Sequence, residues 1–146
     1  MLGLNWIKSF FPDTDFHIVK IADNHIDGAL LCLKSGVFLA HPKYVDDIKI
    51  QMPDKFKHWK YIIPEKLTHI TTNTQLASSE GIDINVLSID EHTVLVNKRA
   101  TSVVKLLEDE KFDVIPIELN NCELFAGGIH CSTLDLVRED EFIEYT

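Results

Sequence analysis

Apolar residues recur along the chain in two rhythms, and the same succession of rhythms occurs twice. Leu4, Trp6, Ile7, Phe10 and Phe11 stand near helical spacing before Pro12 and Asp13, which predicts a short amphipathic helix over Leu4 to Phe11. From Phe16 to Ile21 apolar side chains fall on both sides of an extended segment, the pattern of a mostly buried strand. Ala29 to Leu33 and Val37 to Ala40 read as a hairpin turned by Lys34, Ser35 and Gly36. Pro42 opens a helix over Lys43 to Ile50, proline being tolerated where the first turn has no use for its N–H, and Tyr61 to Ile63 returns as a strand. The second pass predicts strands Ile84 to Ile89 and Thr93 to Val96, a helix over Thr101 to Glu110 and a strand Val114 to Ile117.

The two passes align as a repeat. An offset of 56 sets His25-Ile26-Asp27 against Gly81-Ile82-Asp83, Leu31 against Leu87, Leu33 against Ile89, Phe38 against Val94 and Leu39 against Leu95. In the last strand an offset of 52 sets Tyr61-Ile62-Ile63-Pro64 against Asp113-Val114-Ile115-Pro116, as a shorter helix region in the second unit requires. Three strands under one helix cannot bury both faces of their sheet, so such units pack on copies of themselves. The expected fold is therefore α/β, with ββαβ modules over about 25–64 and 81–117 and a cysteine-bearing segment over 123–139, in a single domain 1–146. The connection Glu65 to Glu80, rich in Thr, Ser and Asn, is either disordered or a loop over a site.

Composition narrows the partners. With 45% hydrophobic and 25% charged residues the chain can bury a core without disulfides, and a net charge of −9 with no basic run argues against nucleic acid. No apolar run is long enough to cross a membrane and the N-terminus does not read as a signal peptide, so no membrane partner is expected. Cys32, Cys122 and Cys131 lack CxxC spacing, which favours reduced thiols in a cytoplasmic setting.

Candidate chemistry gathers near the end of the chain, at Gly127-Gly128-Ile129-His130-Cys131-Ser132-Thr133. Paired glycines allow backbone geometry closed to other residues and bring the chain close to a ligand, and Cys131 follows at the head of an apolar strand, which suits a presented nucleophile. A small buried core cysteine behind a glycine bulge is the other reading. His25 and Asp27, two residues apart, would share one face of a strand. Asp83 is their repeat equivalent and reads either as a structural aspartate or as a substrate contact. His130 would point away from Cys131 on an extended chain and serve as a supporting residue. Zinc is a rival use for dispersed His and Cys, although none has short ligand spacing.

The string Gly127 to Glu139 resembles the active-site cysteine segment of the glycine and inosamine-phosphate amidinotransferases, with a looser likeness to related deiminases. Residues His25 to Pro42 look like the same family's segment with its catalytic histidine and substrate-binding aspartate, and Asp83 to Asn97 like its next module. The resemblance runs from about Leu2 to the end. It implies part of a five-bladed α/β propeller (the pentein fold) with the site in its central channel, and it corresponds to the C-terminal part of such an enzyme. The family's acid upstream of the histidine motif has no counterpart.

The resemblance implies Cys131 as nucleophile, His25 as general acid and base, and Asp27 as the carboxylate that grips a guanidinium. Asp83 and, after His41-Pro42, Lys43 become candidate substrate contacts. The implied reaction passes an amidino group from arginine or a similar donor to an amine through an amidino-cysteine. Its partners are a small guanidino donor and an amine acceptor, with no cofactor and no metal. A guanidino hydrolase, a non-catalytic truncated relative and a half-enzyme completed by another chain are the alternatives. Exposed blade faces and sheet edges lead us to expect a homo-oligomer or association with the missing propeller modules.

Overall fold

The computed structural model of the 146-residue chain describes residues 2–21, 25–68, 82–119, 121–125 and 127–139. Helix α1 (Leu2–Phe10) leads, and Trp6 and Phe10 stack edge to face on it with their rings largely exposed. The first module follows as β1 (Leu30–Lys34), β2 (Val37–Ala40), α2 (Val45–Gln51), α3 (Asp54–Lys57) and β3 (Lys60–Ile62). The second is β4 (Leu87–Ser88), β5 (Thr93–Asn97), α4 (Thr101–Asp109) and β6 (Asp113–Ile117). Each forms its own three-stranded sheet with the middle strand antiparallel to the first and parallel to the third. The parallel pair requires a crossover, and α2–α3 and α4 supply it.

The repeat offset of 56 holds through both hairpins: Leu31 pairs Leu39 as Leu87 pairs Leu95, and Cys32 pairs Phe38 as Ser88 pairs Val94. The hairpins turn by different means. Gly36 takes a left-handed φ of 80°, which a side chain would resist, whereas Asp90 Oδ1 accepts the N–H groups of His92 and Thr93, each at 2.7 Å. In the last strand the offset of 52 is off by one. Val37, Phe38 and Leu39 pair Lys60, Tyr61 and Ile62, while Thr93, Val94 and Leu95 pair Asp113, Val114 and Ile115, an offset of 53. Pro64 and Pro116 are not equivalent. Pro64 lies fully buried beyond the end of β3, whereas Pro116 is inside β6 opposite Val96.

Alternation along the first sheet divides it cleanly. Leu30, Phe38 and Tyr61 face Ile48, Met52, Phe56 and Trp59 of the α2–α3 region, with Phe38 stacked on Trp59 at 4.7 Å between centroids. Leu31, Leu33, Leu39 and Ile62 face the other way and share one core with Val94, Val96, Val103 and Leu107 of the second module. Helix α4 thus meets the first sheet's open side, and an ion pair from Lys60 to Glu110 ties the same junction. Each fully buried Leu or Ile here contributes about 1.5–3 kcal/mol through removal from water. Helix α4 ends in a Schellman arrangement: Phe112 N–H donates to Leu107 O and Lys111 N–H to Glu108 O, both at 3.0 Å, with Lys111 left-handed at φ 69°.

Other expectations need correction. Residues 16–21 form no strand; the backbone of Lys20 instead bonds the side-chain amide of Gln51, N–H to Oε1 at 3.0 Å and O from Nε2 at 2.8 Å. The strand expected over Ile84 to Ile89 is reduced to Leu87–Ser88, because Ile82–Ile84 closes into a 3-10 turn. Most of the expected loop Glu65 to Glu80, from 69 onward, lies outside the described residues, as does Gly81. Among the described residues no helix is long and apolar enough to cross a membrane.

Candidate active site

Two 3-10 turns, one at the head of each module, pack against each other: Ile26–Gly28 before β1 and Ile82–Ile84 before β4. A third such turn, His130–Ser132, reaches this junction from the segment after β6. Arg138 helps anchor that segment, donating from Nη2 to Ser88 O at 2.6 Å and pairing with Asp135 at 3.2 Å. A cleft of about 280 Å³ opens beside His130 between β1 and β4, lined also by Cys32, Leu87, Ser88 and Arg138.

At the junction, Cys131 Sγ donates to Asp27 Oδ2 at 3.2 Å, and His130 Nδ1 lies 3.1 Å from the same oxygen. Asp27 has a side chain 14% exposed. Burial by itself pushes its carboxyl upward, but hydrogen bonds from Cys131, His130 and Asn85, with the charge of His130, outweigh that and hold it below its ordinary value. Cys131 is exposed, as a nucleophile that must meet a solute requires, and it is not the buried core thiol of the alternative reading. Cys32 is exposed as well, and desolvation of its sulfur pushes its thiol up.

Asn85 completes the cluster and was not anticipated. It is 3% exposed, its Oδ1 accepts the Cys131 N–H at 3.2 Å, and its Nδ2 donates to Cys131 Sγ at 3.3 Å. The repeat carried a signal: at the offset of 56 Asn85 stands where the first module has Ala29, a polar residue in a buried apolar slot.

The turn geometry corrects three expectations. Asp27 sits in a 3-10 turn rather than on a strand with His25, whose extended backbone caps that turn and whose side chain is exposed. Cys131 heads no strand, and because its chain is wound rather than extended, His130 converges with it on Asp27 instead of pointing away. The paired glycines do not take the left-handed conformation: among the described residues Gly36 is the glycine with positive φ. Gly128 answers a steric need instead, since a Cβ there would lie 2.4 Å from Asn85 Oδ1 and 2.7 Å from its Cβ.

The remaining candidates stand apart from the sulfur. Asp83 is buried in the second turn, where its carboxylate accepts the N–H of Thr68. Lys43 is exposed with Nζ 5.3 Å from the Tyr44 ring centroid, and its backbone N–H donates to His41 Nδ1 at 3.0 Å. Among the described residues, no hydrogen bond joins His25, Lys43 or Asp83 to Cys131, and no group of three or more His, Cys, Asp or Glu is arranged to hold a metal ion.

No family model matches the chain. It is 30% identical over 148 residues to inosamine-phosphate amidinotransferase 1 of Streptomyces glaucescens, covering 99% of this chain and 42% of that protein. To the L-arginine:L-lysine amidinotransferase of Pseudomonas savastanoi pv. phaseolicola it is 28% identical, covering 98% of this chain and 40% of the relative. The solved inosamine-phosphate amidinotransferase of Streptomyces griseus superposes with a TM-score of 0.86 at 30% identity, over 99% of this chain and 42% of that one. The chain therefore spans about 40% of the length of the curated relatives it matches.

Proposed function

Starting from a chain that is a relative of the amidinotransferases and carries part of their α/β propeller, we propose that it serves amidino transfer from arginine or a similar guanidino donor to an amine, with the amidino group held on Cys131. The observation that carries this reading is the meeting of Cys131, Asp27 and Asn85 at the junction of the modules. A guanidinium spreads its charge by resonance, so its carbon yields only to a strong nucleophile such as a thiolate. Asp27, kept ionised, can accept parallel N–H bonds from the planar donor and set its carbon against the sulfur.

In the first step Cys131 gives up its thiol proton to His25, the Sγ–C bond forms from the resulting thiolate, and the C–N bond to the departing amine breaks. His25, the exposed residue capping the Asp27 turn, gives that nitrogen its proton. In the second step the acceptor amine bonds to the amidino carbon, returns a proton to His25 and expels the Cys131 thiolate. Asp83 and Lys43 are proposed to contact the remainder of the donor or acceptor. A reducing compartment such as the cytoplasm suits the three free thiols.

The span of about 40% of the relatives supports a further part of this reading: additional modules, from a longer chain, a second copy or another protein, complete the pocket. Incubation with arginine followed by intact-mass measurement is expected to give a partial amidino adduct that is lost in Cys131→Ala, with little product when an amine is added. An adduct that persists in Cys131→Ala would overturn the nucleophile, and rapid multiple turnover by a verified monomer would overturn the need for further modules.

A further inference from the structure

We infer that Asn85 is a positioning residue for Cys131, clasping it at two points and aiming its sulfur at a guanidinium held by Asp27. The inference rests on the reading of Cys131 as nucleophile. A cysteine in a one-turn 3-10 segment has little of its own to fix the sulfur: the turn is three residues long and Cys131 is exposed. Asn85 supplies what the turn lacks. Its amide offers an acceptor and a donor in one rigid plane, and it uses the first on the Cys131 N–H and the second on Cys131 Sγ. The first bond holds the backbone and the second holds the side chain.

The side chains hydrogen-bonded at this point are Asp27 from the first module, His130 from the same turn as Cys131, and Asn85 from the second module. Asp27 opposes negative charge on the sulfur, and although His130 and Asn85 both bond Asp27, Asn85 Nδ2 also reaches Sγ itself at 3.3 Å, so its N–H is the donor that accompanies a developing thiolate. Burial makes the arrangement strict. An amide at 3% exposure has lost water as a substitute partner, and turning it away would strand its polar atoms. Gly128 shows the same demand from the other side, because any side chain there would collide with the Asn85 amide.

Two replacements of similar size remove one or both of these groups. Aspartate has the shape but only acceptors, and would set a second negative charge against the sulfur. Leucine fills the space with neither group. The test is the pH–rate profile of iodoacetamide alkylation at Cys131, followed by peptide mapping in the full chain, for the unaltered protein, Asn85→Asp and Asn85→Leu. Cys32 in the same samples serves as an internal control.

Both variants are expected to alkylate at Cys131 about tenfold more slowly near neutral pH, the worth of one hydrogen bond to a charged group. The midpoint of the profile should move to higher pH, further for Asn85→Asp, while the Cys32 profile stays in place. Circular dichroism accompanies each variant, and the isosteric Asn85→Asp remains decisive if Asn85→Leu fails to fold. Superimposable Cys131 profiles in Asn85→Asp and the unaltered chain would overturn the inference. If the profiles separate but arginine leaves no adduct on the unaltered chain, the amidino-transfer reading falls and the role of Asn85 stands. If the adduct forms and the profiles coincide, the reverse holds.

Discussion

The first and second modules share one backbone plan and differ in what covers them. Ile62 in β3 is 2% exposed and its counterpart in register, Ile115 in β6, is 48% exposed. Leu31 and Leu39 are buried while Leu87 and Leu95 are half-buried. The cause is α4, which lies against the first sheet and has no successor against the second among the described residues. The same two modules diverge again at the site. Asp27 faces the sulfur while Asp83 holds the Thr68 backbone, and Ala29 is a buried spacer where Asn85 is a buried hydrogen-bonding group. Repetition supplies the scaffold, and departures from it supply the chemistry.

Imposing symmetry should break this division, most severely at Gly128. Gly128→Ala drives a methyl into Asn85 and is expected to slow Cys131 alkylation about 100-fold or more, the usual consequence of misplacing a reacting group by about 1 Å. Combining it with Asn85→Gly, which also removes the Cβ that would lie 2.7 Å from the added methyl, should relieve the clash and keep the fold by circular dichroism but not restore the reactivity. Full reactivity in the double variant would mean that the modules need not differ here. Next in size, Ile62→Ala should cost about 2–5 kcal/mol in urea unfolding. Ile115→Ala should cost about 1 kcal/mol or less, and equal losses would show that the open face is covered in solution.

The smallest effect concerns acid stability. Asp27 has a folded-state pKa below its ordinary value, so its contribution is complete above the unfolded carboxyl's pKa and disappears as pH falls through the lowered folded value. Asp27→Asn should therefore flatten the acid-side decline in Tm below about pH 5. Asp27→Ala and Asp27→Asn curves as steep as that of the unaltered chain would place the acid sensitivity elsewhere.

The scaffold was legible because its signals are periodic. Apolar alternation in Leu31, Leu33 and Leu39 and its echo in the second unit located both hairpins and their crossover helices. Legibility failed where side chains replaced the backbone ladder. Gln51 satisfies the Lys20 backbone from a side chain, so the alternation from Phe16 to Ile21 does not distinguish a strand from a strapped coil, and paired prolines drew the last alignment one residue out of register. At the site, residue identity pointed to Cys131 and Asp27, and the structure brings those two together. Their backbone was misread because 3-10 turns of three residues are too short to show a period. That is also why His130 was aimed the wrong way. Asn85 was visible only as a polar residue opposite Ala29, a departure whose meaning depends on the close approach of Gly128.

Because the helix of the second module lies on the open side of the first sheet, the stacking has a direction. A copy added to the Leu87, Leu95 and Ile115 face through its own helices would present an identical vacant face at its far end. Ile50, 75% exposed on α2, is the kind of apolar knob the opposite end offers. Such contacts join unlike surfaces and have no two-fold axis, so assembly by this route is head-to-tail. It stops when the accumulated rotation closes a ring, and a chain of two modules carries one end of each polarity into every encounter. Isolated chains growing this way would form a ladder of sizes rather than a single dimer, and one charged residue on the Ile115 face would cap it.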